Sequence, residues 1–136
     1  MIRVATHADI PAMVALFQRH HEERAFTFAF NAALISMDLA AAIDDPNWLC
    51  LTADRCALVA FSYRPMFSPN KVATELMLRC ERPRIRPQMI AHFENWARTR
   101  HCKQIALAST HAYEAFKRLY KRDGYAPAEM TFAKEL

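Results

Sequence analysis

The stretch that predicts the fold most directly lies near the end of the chain and reads Ala112-Tyr-Glu-Ala-Phe-Lys-Arg-Leu-Tyr-Lys-Arg-Asp-Gly124-Tyr125. Its apolar residues recur at helical spacing, and the single glycine of the chain, Gly124, ends the run. A glycine directly after such a run is typical of a helix C-terminus, where the backbone enters the left-handed region. We therefore predict a helix that ends at Asp123 and a final strand over residues 125–136. Because there is no second glycine, the sequence has no glycine-rich loop that binds phosphate.

Hydrophobic periodicity toward the N-terminus predicts the other elements of a single domain spanning 1–136. Asp9 is predicted to cap the first helix, with Pro11 in its first turn, and Asn31 to cap the second. The order β-α-α-β-β-β-α-β-α-β predicts an α+β fold in which helices flank a mixed, mostly antiparallel sheet. The predicted strands before residue 112 cover 2–6, 48–52, 56–63, 72–80 and 104–109, and the third helix covers 87–100.

The composition restricts the class of protein. No apolar run approaches the roughly 18–20 residues that a membrane span needs, and the first residues lack the pattern of a secretory signal. We therefore expect a chain of the cytoplasm without a membrane partner. The four cysteines have no zinc-site spacing, so we expect no metal and four reduced thiols, at Cys50, Cys56, Cys80 and Cys102.

Positive charge is concentrated in one part of the chain. Residues 79–122 carry eleven Lys or Arg against three acidic residues, a balance of +8, while the rest of the chain has a balance of −4. Such a concentration indicates an anionic partner. Arg118, Lys121 and Arg122 form one basic patch that suits a coenzyme A phosphate, nucleic acid or an acidic protein surface. The alternative for each is a solvated helix charge. The basic stretch has no interleaved exposed aromatic residues and no recognition-helix motif, which argues against nucleic acid.

Several motifs together resemble the GNAT superfamily of acyl-CoA N-acetyltransferases. The segment 2–10 is similar to the first strand and helix entry of the family, and the segment 119–125 to its closing Y-x-x-x-G-[FY] signature. The segment 126–136 and Glu94-Asn-Trp96 resemble small members encoded in phages and prophages. The resemblance covers nearly the whole chain and implies the GNAT-like fold.

The resemblance also implies acetyl-CoA as the cofactor, and it locates the binding loop. The loop of the family reads [RQ]-x-x-G-x-[GA], whereas this chain has Ile85 and Pro87 at the two small positions. Ile85 would place a branched side chain near the phosphate, and Pro87 has no N–H to donate. Tyr113 stands where relatives carry an asparagine. The implied cofactor-binding residues are Met77, Leu78, Arg79, Arg82, Arg84, Arg86, Gln88 and Tyr113.

Two residues match catalytic positions of the family. Tyr120 stands where a phenol protonates the departing thiolate, and the alternative is a packing role beside Phe116, four residues earlier. Glu75 stands where a carboxylate removes a proton from the amine, and the alternative is an exposed or ion-paired residue. Strand alternation predicts that Glu75, Met77 and Arg79 share one face of the sheet.

These observations leave three functions open. The first is transfer of an acetyl group from acetyl-CoA to an unspecified amine by direct attack. The second is a catalytically inactive GNAT-fold interaction module, for instance in a phage particle or the phage life cycle, with a protein partner or a second copy of the chain. The third is a basic domain that binds anions or nucleic acid.

Overall fold

The computed structural model describes residues 1–24, 28–108, 121–128 and 131–136, and it confirms the predicted α+β architecture. The described strands form one sheet in chain order, antiparallel except for the parallel pairing of the last two. The strands are β1 (Arg3–Val4), β2 (Trp48–Ala53), β3 (Cys56–Tyr63), β4 (Lys71–Cys80) and β5 (Cys102–Ala106), and the helices are α1 (Ile10–Arg24), α2 (Ala32–Asp44) and α3 (Arg86–Thr99). Within the described ranges, no helix combines the length and apolarity that crossing a bilayer requires.

Polar residues set where the first helices begin. The Asn31 side chain accepts a hydrogen bond from the N–H of Leu34, which confirms the predicted cap of α2. The prediction for Asp9 was wrong, because Thr6 is the capping residue of a short 3₁₀ turn (His7–Asp9) that leads into α1. Asp9 ends this turn, and its carboxylate accepts the backbone N–H of Thr6 at 2.7 Å. Pro11 lies in the first turn of α1, as predicted.

The helices cover the two faces of the sheet and form two apolar cores. On one face, α1 and α2 pack against the sheet. The core between them includes Met13 and Phe17 of α1 and Val59 of β3. On the other face, α3 contributes Met89 and Phe93, both fully buried, to the second core. We call these the α1/α2 face and the α3 face.

A β-bulge in β4 changes which side chains share a face. Val59 pairs with Met77 and Ala60 pairs with Glu75, so Leu76 is an extra residue with no partner in β3. The extra residue shifts the alternation by one position. Glu75 therefore lies on the α3 face, opposite Ala60, while Met77 lies on the α1/α2 face. The prediction that Glu75, Met77 and Arg79 share a face was wrong for this reason.

The expectation of four reduced thiols was wrong for Cys56 and Cys80. These residues are register partners in β3 and β4, and they form a disulfide with Cα atoms 4.1 Å apart. Their separation of 24 residues gives no sign of this pairing in the sequence. Cys50 and Cys102 are free thiols. Burial raises the pKa of the Cys50 thiol to about 11, so this thiol is held protonated in the core.

The C-terminal end keeps the predicted glycine turn but not the predicted strand. Gly124 has φ +91°, the left-handed conformation expected after a helix end. Residues 125–128 and 131–136 carry no strand pairing and are mostly exposed, so the final strand was wrong for these residues. The Tyr125 hydroxyl instead bonds the Glu94 carboxylate of α3 at 2.7 Å. The body of the predicted last helix lies in 109–120, outside the described residues.

Candidate functional site

The candidate site lies where β4 and β5 separate. Their parallel pairing extends from Lys71 to Thr74 on β4, and Thr74 pairs with Ala106 on β5. β4 then continues to Cys80 without a β5 partner in the described part of the chain. The bulge at Leu76 falls just after the last pair, and bulges bend and twist the strand that carries them. We call this end of the described β4–β5 pairing the opening, and the bulge lies at its base.

Glu75 is the buried carboxylate of this opening. The residue is 9% exposed, and one of its carboxylate oxygens accepts the backbone N–H of Ala108 at 3.0 Å. Burial raises the pKa of Glu75, and the Ala108 hydrogen bond and the Arg86 charge oppose that rise without cancelling it. A carboxyl group with a raised pKa holds a proton more readily than an exposed one, which suits a general base.

The loop between β4 and α3 carries the residues that were predicted to bind phosphate. Ile85 packs against the core of the α3 face, so its side chain does not occupy the phosphate approach that the sequence suggested. Pro87 is the second residue of α3 and reduces the backbone donors at the helix start by one. Among the described residues, the N–H of Gln88 in the first turn has no backbone acceptor, as is usual at a helix start. Arg84 is exposed and forms no ion pair with any described residue.

Two other predicted arginines of this region, Arg79 and Arg82, have carboxylate partners. Arg79 forms a bidentate ion pair with Glu23 of α1, with N–O distances of 2.7 and 2.9 Å. It also donates a hydrogen bond to Glu81 at 3.2 Å. Arg82 pairs with Asp54 of the β2–β3 turn at 2.8 Å. Arg86 lies at the start of α3, where its charge acts on Glu75. Arg84 is therefore the cation of the loop with the fewest competing contacts.

The structure brings only part of the predicted site together. Glu75 lies at the opening and the charge of Arg86 acts on it, while Leu78 is buried in the α3-face core and Met77 lines a cavity on the opposite face. Tyr113 and Tyr120 lie outside the described residues, so their assigned roles stay predictions. No group of three or more potential metal ligands exists among the described residues.

Sequence reasoning missed a cavity on the α1/α2 face. It has a volume of about 470 Å³ and lies between α2 and the strands β2 to β4. Its lining includes the extra residue of the bulge, Leu76, and the neighbouring pair Val59 and Met77. The bulge thus separates the opening at Glu75 from the cavity. The sequence carries no local signal for this cavity, because its lining residues on α2, such as Ile35, Leu39 and Ala42, recur at the helical spacing of any core-facing stripe.

Solved structures share this fold along the whole chain. A transcriptional regulator from Bacillus halodurans superposes with a TM-score of 0.81 at 16% identity, covering 100% of this chain and 99% of that one. A predicted acetyltransferase from Clostridium acetobutylicum, crystallised with acetyl-CoA, gives 0.77 at 12% identity, with coverage of 99% and 95%. An aminoglycoside acetyltransferase from a soil metagenomic sample, in complex with sisomicin, gives 0.71 at 11% identity, with coverage of 100% and 94%.

The sequence itself has no such match. No protein-family model and no curated protein sequence matches it significantly. At these low identities, the structural likeness identifies the fold alone. The chain has the fold of the GNAT-type acetyltransferases.

Proposed function

We propose that this chain is an N-acetyltransferase that moves an acetyl group from acetyl-CoA directly to an amine. The observation that carries the proposal is Glu75, a buried carboxylate with a raised pKa at the point where β4 and β5 separate. The acetyl-CoA present in one structural neighbour supports the choice of donor. Acetyl-CoA supplies the acetyl thioester when bound.

The described residues fit the phosphates of this donor through a helix start and a side chain. The N-terminus of α3 has a partial positive charge and the N–H of Gln88, both of which favour an anion. Arg84 adds a guanidinium with no competing carboxylate in the described chain, and guanidinium groups bind phosphate through paired donors. Ile85 does not obstruct this approach, because its side chain is packed in the core.

In the proposed reaction, Glu75 accepts the proton that the amine loses as its nitrogen bonds to the acetyl carbon. The Ala108 N–H holds the carboxylate in place at 3.0 Å. The backbone amides of the segment 77–79 polarise the acetyl carbonyl. Tyr120, the acid that the resemblance implies, would donate a proton to the departing sulfur as its bond to the acetyl carbon breaks. No covalent intermediate with the protein is needed.

Calorimetry with acetyl-CoA tests the donor. We expect saturable binding that weakens about 10-fold in Arg84→Ala, since a charge-assisted hydrogen bond contributes about 1.5–3 kcal/mol. Arg82→Ala is the matched control, because Arg82 is already paired with Asp54 and should lose less affinity. Absence of saturable binding at millimolar acetyl-CoA would overturn the proposal.

Release of free coenzyme A in the presence of a panel of primary amines tests the catalytic step. General-base catalysis contributes about 10²- to 10⁴-fold, so Glu75→Gln should lower kcat by that range and leave acetyl-CoA affinity unchanged. An unchanged kcat in Glu75→Gln would remove Glu75 from the mechanism.

The second candidate is an inactive GNAT-fold module. The ion pairs of Arg79 and Arg82 favour it, because two arginines expected near the cofactor serve the fold instead. The same calorimetry separates the two functions, since an inactive module need not bind acetyl-CoA. A role in a phage particle would then be tested by the identity of the neighbouring genes.

A further inference from the structure

The loop between β3 and β4, residues 64–70, exposes two large apolar side chains. Met66 is 79% exposed and Phe67 is 97% exposed. Phe67 also has φ +68°, in the left-handed region that bulky residues rarely adopt because it costs free energy. An exposed apolar side chain adds little to the fold of its own chain. The cost of this conformation therefore indicates a contact with another molecule.

Internal hydrogen bonds and two prolines hold this β3–β4 loop in shape. The Arg64 guanidinium donates to the Ser68 carbonyl at 2.9 Å, and the Ser68 N–H donates to the Pro65 carbonyl at 3.3 Å. The N–H of Asn70 donates to the Ser68 hydroxyl at 3.1 Å. Pro65 and Pro69 restrict the backbone further. A loop that is already ordered loses little conformational entropy on binding, which favours a role in recognition.

The cavity on the α1/α2 face lies at the same end of the sheet as this loop. Its volume is about 470 Å³, and nine of its eleven lining residues are apolar. Trp48 lines the cavity, and the rings of Trp48, Phe61 and Tyr63 follow one another with centroid distances of 4.9 and 5.5 Å. Tyr63 is the last residue of β3, directly before the loop. The wall of the cavity is thus continuous with the base of the loop.

The loop and the cavity carry opposite charges. In the described part of the chain, the charged residues that line the cavity are Asp38 and Asp45, and Asp38 is exposed. The segment 61–74, which contains the loop, has Arg64 and Lys71 and no acidic residue. Opposite charges attract a loop of this kind to a cavity of this kind. The loop does not fill the cavity of its own chain, because Phe67 is exposed and no residue of 64–70 lines the cavity.

We propose that two copies of this chain form a symmetric dimer in which Phe67 of each copy enters the α1/α2-face cavity of the other. A two-fold dimer needs a surface that is complementary to itself. This end of the sheet meets that need, because it carries an apolar projection and an apolar recess of opposite charge side by side. A two-fold axis between them brings each loop to the cavity of the other copy, and both loops leave water on association. The dimer does not depend on acetyl transfer.

Sedimentation equilibrium from micromolar to millimolar protein concentration tests the dimer. We expect the unaltered chain to dimerise. Phe67→Ala should raise the dissociation constant at least about 100-fold, because a symmetric dimer loses the central aromatic contact twice. Phe132→Ala is the matched control. Phe132 is 85% exposed in the C-terminal segment and lies outside the loop, so its removal should leave the dissociation constant unchanged.

A variant of the cavity tests the other half of the contact. Ala41 lines the cavity and is exposed, so Ala41→Trp should block the mouth without disturbing the core. Asp38→Arg is a second cavity-side variant, which replaces the attraction for Arg64 by repulsion. Both should weaken the dimer, and circular dichroism checks that both variants fold.

Mixing the two kinds of variant tests whether the loop of one copy enters the cavity of the other. Phe67→Ala alone has no projection, and Ala41→Trp alone has no open cavity, so neither homodimer keeps an intact contact. A mixed dimer keeps one, formed by Phe67 of the Ala41→Trp chain in the open cavity of the Phe67→Ala chain. We therefore expect the mixture to associate at least about 10-fold more tightly than either variant alone.

A chain that stays monomeric at millimolar concentration would overturn the proposal, as would a dimer that Phe67→Ala leaves unchanged. A mixture that associates no better than its components would show that the dimer does not join loop to cavity. Binding of a monomeric chain to phosphatidylserine vesicles, lost in Phe67→Ala, would assign the loop to a lipid surface and also overturn the proposal. Weaker association of the separate variants with recovery on mixing would support it.

Discussion

At the scale of single residues, Glu75 shows how function and stability oppose each other. Its carboxylate is buried, and the burial raises its pKa despite the Ala108 hydrogen bond and the Arg86 charge. A carboxyl group with a raised pKa in the folded state favours folding when it is protonated. Its contribution to stability is therefore present at low pH and is lost as the pH rises above the ordinary glutamate pKa of about 4.3.

The first prediction follows from this loss of stability with rising pH. Glu75→Gln keeps an oxygen that can accept the Ala108 N–H but removes the buried charge. We expect the variant to unfold at a higher temperature than the unaltered protein at pH 7–8, and the two midpoints to converge near pH 4. Thermal unfolding followed by circular dichroism at several pH values measures this. A variant that is less stable at every pH would contradict the prediction.

Glu75 also shows what the sequence could and could not predict about the site. The resemblance to the GNAT superfamily selected it as a candidate base, and that role stays a prediction. Its face was predicted wrongly, because strict alternation cannot anticipate the extra residue Leu76. Ile85 was a similar case, since the sequence identified its unusual size but not that α3 turns it into the core.

At the scale of secondary structure, the bulge is the element that opens the site. The sequence predicted the strands from their apolar runs and the helices from their caps, and the structure confirms most of them within two residues. The bulge and the Cys56–Cys80 disulfide both depend on the register between β3 and β4. Register is set by packing across the whole sheet, so neither feature has a local sequence signal.

The second prediction concerns removal of the bulge. Deletion of Leu76 would leave Glu75 and Met77 adjacent, each still paired with its present partner in β3 and still on its present face. We expect the shortened chain to fold with unchanged secondary structure. Without the bend, β4 should extend its pairing with β5 and close the opening, so acetyl-CoA binding should be lost. Circular dichroism and calorimetry measure the two outcomes.

Leu76→Ala is the control for this deletion. It keeps the number of residues in β4 and therefore the bulge, while it removes most of the same side chain. We expect Leu76→Ala to bind acetyl-CoA like the unaltered protein. Equal binding by the deletion variant would show that the bulge does not create the opening.

At the scale of the whole molecule, a cluster of charges joins three separate parts of the chain. Glu81, after β4, pairs with Arg19 of α1 at 2.8 Å, with Arg79 at 3.2 Å, and with Arg55 of the β2–β3 turn at 3.5 Å. Glu23 of α1 holds Arg79 from the other side. The basic concentration seen in the sequence is thus partly neutralised by acidic residues from distant positions. Charge counting along the sequence could not show this, because the partners of Arg79 are up to 56 residues away.

The third prediction concerns this cluster. Hydrogen bonds from Arg19 and Arg79 lower the pKa of Glu81 to about 2, although burial acts to raise it. A carboxyl group with a lowered pKa stabilises the fold while it is charged, so its contribution is present above about pH 4.3 and is lost as the pH falls toward about 2. Glu81→Gln should therefore lower the midpoint of thermal unfolding at pH 7, and the difference should shrink between pH 5 and pH 3.

Added salt provides an independent check on the same cluster. Glu81 has a side chain only 15% exposed, whereas its partners Arg19 and Arg55 are about half exposed, so screening should reduce the effect of Glu81→Gln without abolishing it.

Glu22→Gln removes the same charge from the exposed side of α1, where Glu22 contacts the Gln18 amide, and it should change the midpoint little at any pH. If Glu81→Gln behaves like Glu22→Gln at pH 7, the cluster does not hold α1 against the sheet. In that case the packing of Phe17 and Met13 alone must do so.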